Sequence, residues 1–79
     1  MYINRGDTMK VSNSNEFGQR VRERRKKLNY TQSYISQVSG LSVSFLSDLE
    51  NGKKTIELDK ALLVVSLLGM DVNIVEREG

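Results

Sequence analysis

Residues Thr31 to Lys54 read TQSYISQVSGLSVSFLSDLENGKK, and the order of caps and apolar positions within them decides the fold. Thr31 stands as an N-cap, because its hydroxyl accepts from the backbone N–H groups that open a helix. Ile35 and Val38 lie three apart on one helical face, and Gly40 falls where a helix closes through a left-handed residue. Ser42 is a second N-cap, followed by Phe45, Leu46 and Leu49 at helical spacing. Asn51-Gly52 ends that second helix. A link of about three residues makes the two helices cross steeply, as in a helix-turn-helix.

Working outward toward the N-terminus, Ser14 or Asn15 caps a helix that runs through Leu28. On a helical wheel Phe17, Val21 and Leu28 share one stripe, flanked by Arg24 and Arg25. Residues 1–13 mix Gly, Asp, Asn, Ser and Thr without a helical period and are expected to form a flexible arm. On the other side, Thr55 or Glu57 initiates a fourth helix, Leu58 to Leu68, closed by Gly69. Leu58, Ala61, Leu62, Val65 and Leu68 are expected to fill its inward stripe. That leaves Leu63, Val64 and Leu67 surplus to one face, and a helix apolar nearly all round is buried on several sides. In a chain this short the second burial is most simply another subunit, related by a dyad. Met70 to Glu76 then alternates apolar and polar residues, a strand signal. A lone strand leaves its backbone groups unpaired, so its expected partner is the same strand of a second subunit. The expected dimer interface is thus Leu63, Val64, Leu67, Met70, Val72 and Ile74.

The chain has 79 residues and no cysteine or histidine. Neither disulfides nor the usual nitrogen and sulfur ligands of zinc supplement its core, and no cofactor is expected. A core of this size is marginal, which again favours oligomerisation. Without His or Cys, and with carboxylates scattered and no Gly-rich phosphate loop, an enzyme is the least favoured class. No segment is apolar enough for a signal peptide or a membrane span, so a cytoplasmic location and no membrane partner are expected. The net charge of +2 is unevenly spread. From Phe17 to Tyr30, six bases (Arg20, Arg22, Arg24, Arg25, Lys26, Lys27) face Glu23 alone. From Thr55 onward, Lys60 and Arg77 face Glu57, Asp59, Asp71, Glu76 and Glu78. Such a division suits a polyanion on one half and a protein on the other, although charged helix surfaces also serve solubility.

VRERRKKLNYTQ, ISQVSGLS and FLSDLENGKK, spanning residues 17–69 with their surroundings, together resemble the helix-turn-helix core of the Xre/phage-repressor family. Within it, the HipB-type antitoxins are nearest. The resemblance implies an all-α, lambda-repressor-like domain of about four helices (residues 14–69), followed by a C-terminal β-strand and tail (residues 70–79) that pairs across a dimer. It implies an ion pair between Arg25 and Glu50 that clamps the first helix to the end of the third. It makes the helix Val43 to Asn51 the recognition helix, entering the major groove of double-stranded DNA by its N-terminal residues. With Phe45, Leu46 and Leu49 facing the core, Ser42, Val43, Ser44, Ser47 and Asp48 are left to read bases. Serine serves several bases, Val43 suits a thymine methyl, and Asp48 accepts from a cytosine amino group. Phosphates are expected at Thr31, Gln32 and Ser33, where a helix N-terminus favours anions, and at Asn51, Lys53 and Lys54. The chain departs from the family at Ser36 and Ser39, where alanine is usual, and at Asn29, where glycine is usual. The serines are expected to loosen helix packing slightly, and Asn29 to tolerate the left-handed region. The implied function is a sequence-specific repressor of a palindromic operator, acting as the autoregulating antitoxin of a HipA-like kinase. The alternative is a stand-alone phage- or Xre-type repressor without a toxin.

Overall fold

A computed structural model describes residues 9–78. It contains α1 (Ser14–Lys27), α2 (Gln32–Ser39), α3 (Val43–Glu50) and α4 (Leu58–Leu67). Residues 1–8 of the expected arm, and Gly79, lie outside the described residues. Thr31 and Ser42 cap α2 and α3, their hydroxyls accepting from Tyr34 N and Phe45 N at 3.0 Å each. The cap of α1 is Asn13, one residue ahead of the expected Ser14 or Asn15. Its Oδ1 accepts from Glu16 N at 2.9 Å, and the Glu16 carboxylate turns back to accept from Ser12 N at 2.7 Å. Ser14 is the first residue inside the helix, and its hydroxyl donates to the Gly52 carbonyl at 2.9 Å, which ties α1 to the end of α3.

Three of the four helices close in the same way. At the ends of α1, α3 and α4 a left-handed residue (Asn29, Gly52, Gly69) donates back to Lys26, Leu49 and Ser66. The following amide in each case reaches one residue further, to Arg25, Asp48 and Val65. This paired bonding satisfies carbonyls that a helix end would otherwise leave open. Asn29 takes its left-handed φ of 61° as expected.

The core consists of Val21, Ile35, Leu46, Leu49, Ala61, Val64, Val65 and Leu68, with Phe17, Leu28, Tyr30, Leu41, Phe45, Ile56 and Met70 half-buried against it. Helix α4 is rotated from its expected orientation. Its inward stripe is Ala61, Val64, Val65 and Leu68, while Leu58 and Leu62 face outward. Val64 is 1% exposed within the chain's own core, so it does not belong to the outward surface where it was expected. The reason is that a helix apolar on several sides offers more than one stripe at spacings of three and four, and packing against α2 selects among them. Leu63 and Leu67 do stand outward, at 43% and 40% exposure. Residues 70–78 carry no regular secondary structure; Val72, Ile74 and Val75 are exposed. A strand that pairs across a dyad has no ladder to form within one chain. No helix of the described residues is long and apolar enough to cross a membrane.

Candidate nucleic-acid interface

Helix α3 is held firmly at one end and stands clear of the protein at the other. Leu46 in its middle and Leu49 and Glu50 at its end are buried. Its first turn, with Ser42, Val43 and Ser44, is exposed, and Ser47 and Asp48 lie between these extremes. The buried end is fixed by Glu50, whose side chain is only 5% exposed. Arg25 donates to it through both arms of the guanidinium, Nε to Oε2 at 2.6 Å and Nη2 to Oε1 at 2.9 Å. The remaining Arg25 nitrogen, Nη1, donates to the Tyr30 carbonyl at 2.8 Å. Gln32 Nε2 adds a third donor to Glu50 Oε1 at 3.2 Å. One carboxylate thus joins α1, the start of α2 and the end of α3. The hydrogen bond to Glu50 raises the Arg25 pKa further; burial opposes this and the charge of Glu50 adds to it. Arg25 therefore stays charged at any physiological pH, as a buried carboxylate's partner must.

Helix α1 approaches this junction closely. A Cβ on Gly18 would stand 2.7 Å from the Glu50 carbonyl oxygen, so only glycine lets the backbones meet there. Nearby, Arg24 Nε donates to the Leu68 carbonyl at 2.8 Å and fastens the end of α4 to α1.

The expected phosphate ligands lie at the start of α2 and just beyond the C-terminal end of α3. Thr31 and Ser33 are exposed at the start of α2. Gln32 is half-buried, its amide turned inward to Glu50, so it braces α3 while its backbone remains at the helix start. Neither α2 nor α3 has an acidic residue in its first turn, unlike α1 with Glu16 and α4 with Asp59. Their N-terminal dipoles are left uncompensated by side-chain charge, which favours an anion. Lys53 and Lys54 are exposed just beyond α3. Lys53 Nζ lies 3.4 Å from Asp48 Oδ2, which offsets part of the repulsion Asp48 would exert on phosphates. Asn51 Nδ2 donates to Ser47 Oγ at 3.3 Å, so these two side chains hold each other at the edge of the surface.

The sequence did not reveal what four residues do in this region. Gly18 carried a signal, since a glycine inside a helical pattern usually has a packing reason. Arg24 appeared only as a flank of the apolar stripe. Ser36 and Ser39 have a further role that the sequence does not show: both bind the turn. Ser36 Oγ donates to the Leu41 carbonyl at 2.6 Å, and Ser39 Oγ accepts from Leu41 N at 3.0 Å.

Four helices, of which the third is reached through a three-residue turn (Gly40 to Ser42) and bares its first residues, define a small helix-turn-helix domain. The helix-turn-helix family pattern matches residues 21–75, and the chain belongs to that family of DNA-binding transcriptional regulators. Over 59 residues it is 37% identical to y4mF of Sinorhizobium fredii (strain NBRC 101917 / NGR234), an uncharacterised HTH-type transcriptional regulator. That match covers 75% of this chain and 78% of the relative. Among solved structures, HipB in complex with an O4 20mer aligns with a TM-score of 0.81 at 15% identity, covering 90% of this chain and all of that one. A serine-to-alanine variant of HipB with an O2 20mer aligns at 0.83 and 14% identity, covering 91% of this chain and again the whole of the other. At such identities the likeness speaks for the fold.

Proposed function

We propose that the chain is a dimeric, sequence-specific repressor that binds a palindromic operator, its own promoter included, and serves as the antitoxin of a HipA-like kinase. The observation that carries the DNA half is the asymmetry of α3. Its far end is locked by Glu50 while Ser42, Val43 and Ser44 are exposed at the near end. A recognition helix needs this combination of a rigid base and a bare N-terminal turn. The antitoxin half is supported by the fold shared with HipB and by the acidic C-terminal half, where Leu63, Leu67, Val72 and Ile74 are exposed. A stand-alone repressor is the second reading, favoured by the description of the 37% identical relative as a transcriptional regulator.

Selection from a randomised duplex pool is expected to return an imperfect palindrome with half-sites about 34 Å apart, one turn of DNA. Failure to enrich any sequence would sink sequence-specific binding. Purified from its native source, the chain is expected to carry a stoichiometric second subunit with protein-kinase activity. Purification without one leaves the stand-alone repressor.

A further inference from the structure

Helix α2 does not close as the other three helices do. Gly40, at φ 78°, donates to Ser36 O at 3.0 Å, a single bond, and the next amide, Leu41 N, does not reach back to a helix carbonyl. The Ser39 hydroxyl accepts that amide instead, and the Ser36 hydroxyl donates to the carbonyl of the same residue. Both backbone groups of Leu41 are therefore held by side chains from the last two turns of α2. Leu41 immediately precedes Ser42, the cap of α3, so its backbone sets the direction in which α3 starts.

Packing of Leu46 and Leu49 seats the body of α3 in the core, and the turn ahead of it is less enclosed. A Cβ on Gly40 would meet nothing within 4 Å, so the turn is open on that side. Ser42, Val43 and Ser44 are exposed, and the apolar contacts of half-buried Leu41 and Phe45 are not directional. The far end of α3 is pinned at Glu50, so any freedom at Leu41 is felt at the end that meets the bases. A helix of eight residues is about 12 Å long, and a small pivot at the turn displaces its first side chains relative to a groove. Hydrogen bonds are directional and favour one geometry.

We propose that Ser36 and Ser39 are positioning residues that aim the first turn of α3, and so set how sharply the protein separates its preferred DNA sequence from any other. The proposal rests on the DNA-binding reading above. Phosphate contacts at Lys53, Lys54 and the start of α2 lie outside the clamp and do not depend on it.

The experiment compares the full chain with a Ser36→Ala, Ser39→Ala double variant and with Ser39→Thr. Alanine is the better helix former, so weakening of α2 is not a competing cause. The probes are the duplex enriched by the wild-type chain from a randomised pool and a mixed-sequence duplex of equal length. The double variant is expected to lose about tenfold in affinity for the enriched duplex, the scale of a hydrogen bond or two. Its affinity for the mixed duplex should stay within about twofold, since phosphate contacts carry no sequence information. Amide exchange at Leu41 in the free protein should quicken by about tenfold, and Ser39→Thr should recover both protection and affinity. Unchanged discrimination, an equal loss on both duplexes, or unchanged Leu41 protection overturns the proposal. A wild-type chain that enriches no sequence is a different result, visible before any variant is made; it removes the DNA-binding reading and the specificity role with it.

Discussion

Glu50 is where three helices meet, and its surroundings decide what its removal does. A buried carboxylate is tolerated because Arg25 and Gln32 supply three donors to its two oxygens. Truncation leaves a guanidinium whose side chain is only 12% exposed without its partner charge, which costs about 3–5 kcal/mol. For a domain of this size that lowers the melting midpoint by about 12 °C or more. Glu50→Ala is therefore expected to destabilise the fold in the absence of DNA, and thermal melting measures it. A midpoint that does not move would show the junction to be incidental. Gly18→Ala tests the same junction from its other side. The added methyl meets main-chain oxygen rather than a yielding side chain, and overpacking of this kind costs about 1–3 kcal/mol. Chemical denaturation of that variant should show a lower midpoint even though alanine favours the helix by about 1 kcal/mol. A stabilised Gly18→Ala protein would mean that α1 and α3 are free to move apart.

At the scale of the element, the proposed binding divides its work between α3 and the residues after it. Val43 and Ser44 lie on the bare first turn, whereas Lys53 and Lys54 lie beyond the helix and carry charge without base-reading geometry. Replacing both lysines by alanine is expected to weaken binding to all duplexes alike and to reduce the slope of log affinity against log salt by about two. Val43→Ala or Ser44→Ala should change the preference among duplexes and leave that slope alone. Titrations at several salt concentrations on two sequences separate the outcomes. If the lysines altered preference while Val43 and Ser44 were silent, the recognition surface would lie elsewhere. Asp48 sits at the border of the two sets, tied to Lys53, so Asp48→Ala is expected to strengthen binding to mixed sequences by removing a negative charge from the surface.

For the whole molecule, the unspent apolar surface of α4 and the tail is the controlling fact. Leu63 and Leu67 stand outward, with Val72 and Ile74 exposed beyond them, and a dyad through this surface would cover them and pair the two tails. Leu67→Asp should abolish the proposed dimer by placing a charge in that contact while leaving each subunit folded, because Leu67 is not part of the core. Val64→Asp makes the contrast: Val64 is within the core, and the charge there should unfold the subunit itself. Deleting residues 71–79 should weaken the dimer less than Leu67→Asp. Sedimentation at micromolar concentration, with circular dichroism to report folding, distinguishes the three. A wild-type chain that sediments as a monomer rules out the dyad, and the outward face of α4 then belongs to another protein.

Local chemistry made much of this legible in the sequence. Caps such as Thr31 and Ser42, and left-handed closers such as Asn29, Gly40, Gly52 and Gly69, act over a few neighbouring residues and so can be read from them. They mark where each helix begins and ends, and the spacing of Phe45, Leu46 and Leu49 orients α3. Tertiary structure decided what depends on residues far apart in the chain. Ser14, inside α1 rather than capping it, ties the helix to Gly52 far along the chain. Helix α4 buries Val64 instead of Leu58 and Leu62 because an all-round apolar helix has no preferred face until α2 supplies one. Gly18 is needed because a main chain thirty residues away passes close to it. Ser36 and Ser39 bind Leu41 within a few residues, so their bonds are local too, but short polar side chains carry no periodic signature by which to read them. A cap is written in one short stretch of residues, whereas a packed face is set by two surfaces that meet only in the folded chain.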